Sequence, residues 1–224
     1  METTLSERAQ AVLARINSAL IATGRPANSV RLVAASKRRP TEEIKQALAL
    51  GISRFGENYV PELLEKQTGV PEAEFHFIGH LQRNKARRLL ASGVRWIHTI
   101  DRLRLATTIQ QYVEHPIHTL IQVNIGMEPT KSGVLPDDVL KLAQSIIMEC
   151  PDIGLCGLMT LPPKDQQPKH WFEALAALRD DLEQKLSYPL PELSMGMSSD
   201  LEQAIQCGAT LVRVGSALFG PRPH

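Results

Sequence analysis

Three places in this chain combine residue types that can hold a small charged molecule. The first is Lys37, which closes the apolar run RLVAASK. An amine at the end of a buried strand loses part of its hydration. That loss disfavours the ammonium form and makes the amine a nucleophile for aldehydes. Arg38 and Arg39 follow directly, so Lys37 also reads as a solvated lysine that marks a strand end. The second place is SMGMSSD, where Ser198 and Ser199 precede a short helical stretch. Hydroxyls and backbone N–H groups at a helix start suit an anion, and equally an ordinary N-cap by a serine or Asp200. The third is TLVRVGSALFG. Side chains alternate along a strand, so Leu211, Arg213 and Gly215 share a face. A guanidinium on an apolar strand needs an acceptor. Gly215 lets a backbone approach a ligand closely, and Ser216 adds a donor. An ion pair with a carboxylate would also satisfy Arg213. With two serines on the preceding loop, a phosphate-bearing ligand is the better account.

Other polar residues carry less. In GENY, Asn58 can orient a ligand or make an Asx turn, and Glu57 can pair with a buried cation. His76, Ile78 and His80 share a strand face, with His80 expected at the rim and His76 inside. Two histidines at that spacing without a third ligand make a poor metal site. Arg83, Lys85, Arg87 and Arg88 lie on one helix and read as a solvated face, since no aromatics interleave them. Lys131 reads as a surface lysine or a second cation near the site. Cys150, Cys156 and Cys207 form no CxxC pair and read as small buried hydrophobes.

The elements that position these groups alternate regularly. Apolar runs at 31–37, 53–58, 75–80, 94–100, 118–125, 153–160, 192–197 and 210–219 read as strands. Helical patterns separate them at 41–50, 59–67, 82–91, 136–150, 169–186 and 200–206, with another expected after an N-cap at Asp101. A further helix, 5–22, comes first and is stopped by Gly24 and Pro26. Eight strand–helix units predict a single (β/α)8 TIM barrel spanning 1–224, with an extra N-terminal helix. A doubly wound sheet is the runner-up, but no GxGxxG follows the first strand. In a barrel all three candidate places fall at the C-terminal ends of strands, where barrel active sites lie. The net charge of +1 gives no field toward nucleic acid or an anionic membrane. No apolar stretch matches a membrane span or a secretory signal, so the cytoplasm is the expected compartment and a monomer the expected state.

The runs VAASK, RFGENYV, FHFIGHLQRNK, VNI…KSG, GLMT, SMGMSSD and VRVGSALFG, in this order, resemble the pyridoxal phosphate homeostasis proteins. That family is related to the N-terminal domain of alanine racemase. The resemblance extends from about Leu32 to Pro221. It implies that Lys37 carries pyridoxal phosphate as a Schiff base. Ser198, Ser199, Gly215 and Ser216 would bind the phosphate, Arg213 would face the pyridine nitrogen, Asn58 would lie near the cofactor, and Met159 would pack against its ring. The departures are Arg83 within the LQRNK run, the Gly126-Met127-Glu128-Pro129 loop, and a chain ending at His224 where the family often has a tyrosine.

A pyridine nitrogen facing a permanent cation stays unprotonated, which weakens the ring as an electron sink. A racemase of this fold type also takes a second acid/base from a second domain, which is not expected here. The implied role is therefore a carrier in vitamin B6 homeostasis, with pyridoxal phosphate-dependent apo-enzymes as acceptors and no strong catalysis. The alternatives are a weak amino-acid racemase using the same lysine, an aldolase-like barrel acting on a phosphosugar through Lys37, and a mere interaction module.

Overall fold

Each amphipathic helix carries the chain back to the same end of the sheet, so successive strands pair in parallel. The computed structural model describes residues 3–163 and 168–221. Helix α1 (Leu5–Ala22) leads into β1 (Arg31–Ala35), α2 (Thr41–Ala49), β2 (Arg54–Glu57), α3 (Val60–Gly69), β3 (Glu74–Phe77), α4 (Arg83–Leu90), β4 (Trp96–Ile100) and α5 (Leu103–Tyr112). There follow β5 (Ile117–Val123), a 3-10 turn (Pro136–Asp138), α6 (Val139–Glu149), β6 (Ile153–Thr160), α7 (Pro168–Leu186), β7 (Glu192–Ser194), α8 (Leu201–Gln206), β8 (Leu211–Val214) and α9 (Ser216–Phe219). The strands run in sequence order round a closed barrel. β8 closes it by pairing with β1 from Arg31↔Leu211 to Ala34↔Val214. This is the (β/α)8 barrel with a leading helix that the alternation of apolar runs predicts.

Helix α1 starts in a capping box. The Thr4 hydroxyl accepts from the Glu7 N–H, and the Glu7 carboxylate accepts from the Thr4 N–H. Its buried stripe of Ala9, Val12, Ile16, Ala19 and Leu20 packs on α8 and α9. Burial of the larger members contributes roughly 1.5–3 kcal/mol each. Arg15 and Glu202 add an ion pair at 2.5 Å between α1 and α8. The helix thereby backs the two elements that flank β8, the strand carrying Arg213.

Two cores result. The larger lies between strands and helices and includes Phe55, Leu63, Phe77, Leu89 and Phe172. The smaller fills the barrel lumen with Val33, Trp96, Leu120, Met159 and Leu211. The lumen also holds polar groups. His76 stacks on Trp96 at 5.2 Å, Trp96 stacks on His118 at 4.5 Å, and the Arg31 guanidinium covers Trp96 at 5.1 Å.

Several boundaries differ from the sequence expectation. β1 ends at Ala35, so Lys37 sits on the turn beyond it. β7 stops at Ser194, three residues earlier than expected. Residues 216–219 continue not as strand but as α9, because the chain turns at Gly215, whose carbonyl accepts from the Leu218 and Phe219 N–H groups. Asp101 does not cap α5; its carboxylate pairs with Arg102 and with His80, and Arg102 takes the N-cap position. Of the three free cysteines only Cys150 is buried, while Cys156 and Cys207 are half-buried. The basic face of α4 is solvated, its buried side being Ala86, Leu89 and Leu90.

His76 and His98 are fully buried, and burial pushes both imidazoles below the ordinary histidine value, His98 furthest. The unfolded chain takes up protons at these positions as pH falls through about 6.5, and the folded chain does not, so stability falls with pH below that point. Glu57, raised by burial, acts in the opposite sense. His98→Gln is expected to flatten the slope of unfolding free energy against pH, between pH 6.5 and 5, by up to about 1.4 kcal/mol per unit. Urea unfolding across that range measures it; an unchanged slope would mean that His98 takes up its proton over the same pH range in the folded and unfolded chains.

Candidate functional site

A cavity of about 340 Å³ opens at the C-terminal ends of the strands, within the size range of small-molecule sites. Lys37, Asn58, Ser198, Ser199, Arg213, Gly215 and Ser216 all line it. Seven of the eight residues singled out from sequence therefore meet in one place. Met159 does not join them. Its side chain is fully buried in the lumen with Val33, Trp96, Leu120 and Leu211, beneath the cavity floor. The strand pleat explains this: Leu161, two residues on and on the same face, is the residue that reaches the cavity.

The turn that carries Lys37 is fixed from below. The Ser36 hydroxyl donates to Glu57 Oε1 at 2.6 Å. Lys66 Nζ donates to the Ser36 carbonyl (2.7 Å), to Glu57 Oε1 (2.7 Å) and to Glu62 Oε1 (2.6 Å). The Arg38 N–H donates to Glu62 as well, and Arg38 has φ of 61°, a left-handed conformation uncommon for a residue with a side chain. Glu57 is wholly buried and Lys66 nearly so. Burial raises the Glu57 carboxyl above the usual range, and the Lys66 ammonium opposes that rise. The expected cation partner of Glu57 is thus Lys66, and the pair's other contacts grip both sides of Lys37.

Asn58 follows β2 and is pressed in place by Gly79. A Cβ at Gly79 would lie 2.2 Å from the Asn58 carbonyl oxygen, so only glycine allows this approach. The Gly79 carbonyl in turn accepts from the Thr99 hydroxyl at 2.5 Å.

Arg213 points into the barrel lumen and is 4% exposed. Nη1 donates to Ser194 Oγ at 2.6 Å and Nη2 to the Thr160 carbonyl at 2.7 Å. Among the described residues no carboxylate lies within ion-pair distance of it, so the structural ion pair is not what satisfies this cation. Burial pushes its pKa down to about 10, against the pull of Asp200, and it remains charged at neutral pH.

The serine loop and the β8–α9 junction face each other. Ser198 Oγ accepts from the Ala217 N–H at 3.2 Å and from the Ser216 hydroxyl at 3.4 Å. The Ser199 hydroxyl donates to Asp200 Oδ2 at 3.3 Å, and Asp200 Oδ1 accepts from the Met197 N–H at 2.6 Å. Asp200 is the N-cap of α8, so the donors available to an anion come from the serines and the glycine turn. Gly215 has a negative φ. A Cβ there would sit 3.4 Å from the Ala35 carbonyl, an ordinary contact. Ala35 and Gly215 both line the cavity.

Sequence reasoning did not reach the remaining wall residues Ala35, Arg39, Ile78, Leu161, Met197 and Gly220. Nor did it reach Ser194, Glu62 or Lys66, which hold the wall from behind. Glu62 and Lys66 stand four apart on α3, a visible helical pairing, but their burial is set by tertiary packing. Lys131 pairs with Glu128 and donates to the Pro162 carbonyl at 3.0 Å, away from the wall. Arg39, 8% exposed, donates to the Gly220 and Pro221 carbonyls at 2.5 and 2.7 Å and lies over Phe219 at 5.7 Å. It ties the end of the described chain to the cavity mouth.

Comparison with known proteins places this geometry among relatives. The family described as alanine racemase, N-terminal domain, matches residues 16–223. The chain is 41% identical over 226 residues to the pyridoxal phosphate homeostasis protein of Aquifex aeolicus, covering 97% of this chain and 98% of the relative. The solved structure of PipY from Synechococcus elongatus with pyridoxal phosphate bound superimposes with a TM-score of 0.84, at 32% identity, covering 97% of this chain and all of that one. Alanine racemase of Corynebacterium glutamicum, at 16% identity and a TM-score of 0.72, shares the fold; this chain covers 62% of its length.

The grip on the Lys37 turn has a measurable signature. Lys66→Met leaves the Glu57 carboxylate buried without its cation and is expected to destabilise the fold by about 3–5 kcal/mol. Adding Glu57→Gln removes the orphaned charge and is expected to restore a large part of that loss. Urea unfolding of both variants checks it; equal loss in the single and double variants would show that the pair is not coupled.

Proposed function

Since the chain belongs to the alanine racemase N-terminal domain family, among the pyridoxal phosphate homeostasis proteins, we propose that it binds pyridoxal 5'-phosphate at this cavity and takes part in intracellular vitamin B6 homeostasis. The observation that carries the reading is the meeting of a lysine amine, a buried guanidinium and a cluster of hydroxyls in one cavity. That donor set fits an aldehyde, a pyridine nitrogen and a phosphate ester. When bound, the cofactor supplies an aldehyde that condenses with amines and a ring that can delocalise charge.

This chain's own residues divide the work. Lys37 would hold the cofactor through its amine, which can condense with an aldehyde with loss of water. Ser198, Ser199, Ser216 and the Gly215 turn hold the phosphate. Arg213 faces the ring nitrogen and, being cationic, keeps a proton off it. Asn58 borders the ring. Among the described residues that line the cavity there is no carboxylate and no histidine; the titratable groups there are Lys37, Arg39 and Arg213. That supports binding without strong catalysis, because racemisation needs a proton donor on each face of the reacting carbon. Apo-enzymes that use the cofactor are the proposed acceptors. Of the most exposed large apolar residues, Ile21 lies on α1, Met148 on α6, and Tyr59 and Met127 on loops, and a monomer is the proposed state. Among the described residues no helix is long and apolar enough to cross a membrane, and the three thiols are free. We place the protein in the cytoplasm.

The deciding experiment is the visible absorbance of the purified protein before and after borohydride, in wild type and Lys37→Ala. The expected result is a yellow band in wild type that borohydride bleaches, with the cofactor fixed to Lys37 in the peptide map. A colourless protein that takes up no added pyridoxal phosphate would falsify the reading. Gly215→Ala gives a finer test. Its fold tolerates the added methyl, so the melting temperature is expected to stay within a degree or so. The methyl would stand at the turn proposed to hold the phosphate, and losing one charge-assisted hydrogen bond there is expected to weaken cofactor binding by about tenfold or more. Equal affinity in the variant would move the phosphate elsewhere.

A further inference from the structure

Behind Arg213 a row of polar groups crosses the barrel lumen from the cavity to the opposite mouth. Ser194 Oγ lies 2.6 Å from Arg213 Nη1 and 2.9 Å from His98 Nδ1. His98 Nε2 lies 2.9 Å from His76 Nδ1, and His76 Nε2 lies 3.1 Å from Glu74 Oε1. Ser194, His76 and His98 are fully buried. Glu74 is half-exposed at the far mouth, where it also pairs with Arg54 at 3.2 Å. Arg31 lies at the same mouth, paired with Glu192. Asp200 is the acidic group that acts on Arg213 from the cavity side.

The donors and acceptors fix a direction. Guanidinium has only donors, so Ser194 Oγ must accept from Arg213. The serine proton is then free to go to His98 Nδ1. A neutral His98 carries its own proton on Nε2 and donates it to His76 Nδ1. His76 in turn carries its proton on Nε2 and donates it to the Glu74 carboxylate. Each bond then has one donor and one acceptor, with both imidazoles neutral. In the reverse sense a His76 lone pair would face a carboxylate. Burial disfavours either imidazolium, and the His76 hydrogen bond, with Arg54 and Arg31 nearby, holds the Glu74 carboxyl below its usual value and so ionised.

We propose that Glu74, His76, His98 and Ser194 are positioning residues for Arg213, forming a one-directional hydrogen-bond chain that aims the guanidinium into the cavity and keeps its charge uncancelled. A carboxylate in place of Ser194 would hold Arg213 equally well but neutralise it. The chain instead places the negative end four hydrogen bonds away, at the opposite mouth. The chain itself is a property of the protein alone. Its consequence for a bound ligand rests on the pyridoxal phosphate reading.

Two measurements test it, one without cofactor. Long-range proton–nitrogen NMR on histidine-labelled, cofactor-free protein at pH 7 is expected to show His76 and His98 as neutral Nε2–H tautomers. An Nδ1–H tautomer or an imidazolium at either position overturns the chain. In protein loaded with pyridoxal phosphate, Ser194→Ala is expected to shift the visible band and weaken cofactor binding about tenfold while borohydride still fixes the cofactor to Lys37. Ser194→Thr, which keeps the hydroxyl, is expected to restore both. Glu74→Ala changes a half-exposed position and is expected to move the His98 ring resonances and the visible band in the same direction as Ser194→Ala. Unchanged bands and affinities in Ser194→Ala and Glu74→Ala would overturn the positioning role. If wild type takes up no cofactor, the cofactor reading fails instead, and the tautomers decide the chain by themselves.

Discussion

A guanidinium inside a closed barrel, with neutral acceptors in place of a carboxylate, is the constraint around which this molecule is built. Unpaired charge in a low-dielectric interior is unfavourable by several kcal/mol unless dipoles replace the lost water. Here the Ser194 hydroxyl and the Thr160 carbonyl do so. Each must itself be held. Thr160 is the last residue of β6, so its carbonyl is placed by the strand. Ser194 is the last residue of β7, and its hydroxyl is placed by His98 on β4, across the lumen. Residues of β6 and β7, and of β4 through Ser194, thus hold one side chain on β8, which only closure of the sheet allows.

Another buried cation, Lys66, is handled in the opposite way. Lys66 sits against two carboxylates and a carbonyl, so its charge is cancelled within hydrogen-bond distance. It faces the outer layer between strands and helices and holds the backbone on either side of Lys37. Cancellation suits a structural clamp, whose task is to fix a turn. An uncancelled charge suits a group that must act on something in the cavity. Two cations buried to a similar depth are therefore given different partners, and the difference follows the role each can have.

The strand–helix alternation and the three functional segments were legible because each is a local signal: apolar runs, turn residues, a cation in an apolar strand, paired serines. Side-chain alternation along β8 put Arg213 on one face with Leu211, and the structure turns that face into the lumen. What was not legible depends on register. Met159 and Leu161 have the same parity, and only the stagger of β6 against its neighbours decides which of them reaches the cavity. Lys66 reads as an ordinary helix-surface lysine until Glu57 and the Ser36 carbonyl are brought to it from other elements. Ser194, His98 and His76 lie on three strands far apart in sequence, and no spacing rule connects them. The extent of β8 was misjudged for a simpler reason. SALF is as apolar as a strand, but a four-residue helix buries Leu218 and Phe219 equally well.

The exposure of the cavity groups has an order that bears on how a ligand enters. Arg213 at the floor is buried, Lys37, Asn58, Ser198 and Gly215 on the wall are half-buried, and Ser199 and Ser216 at the mouth are exposed. The groups suited to a ring nitrogen are therefore deepest, and those suited to phosphate are nearest water. On the proposed reading the ring goes in first and the dianion stays at the mouth, keeping part of its hydration while the serines and the Gly215 turn replace the rest. Desolvation of the phosphate, the largest electrostatic penalty of binding, is reduced in this way. Arg213 at that floor is held from β6 and β7 and, through Ser194, from β4, and the Lys37 turn is held from α3 and β2.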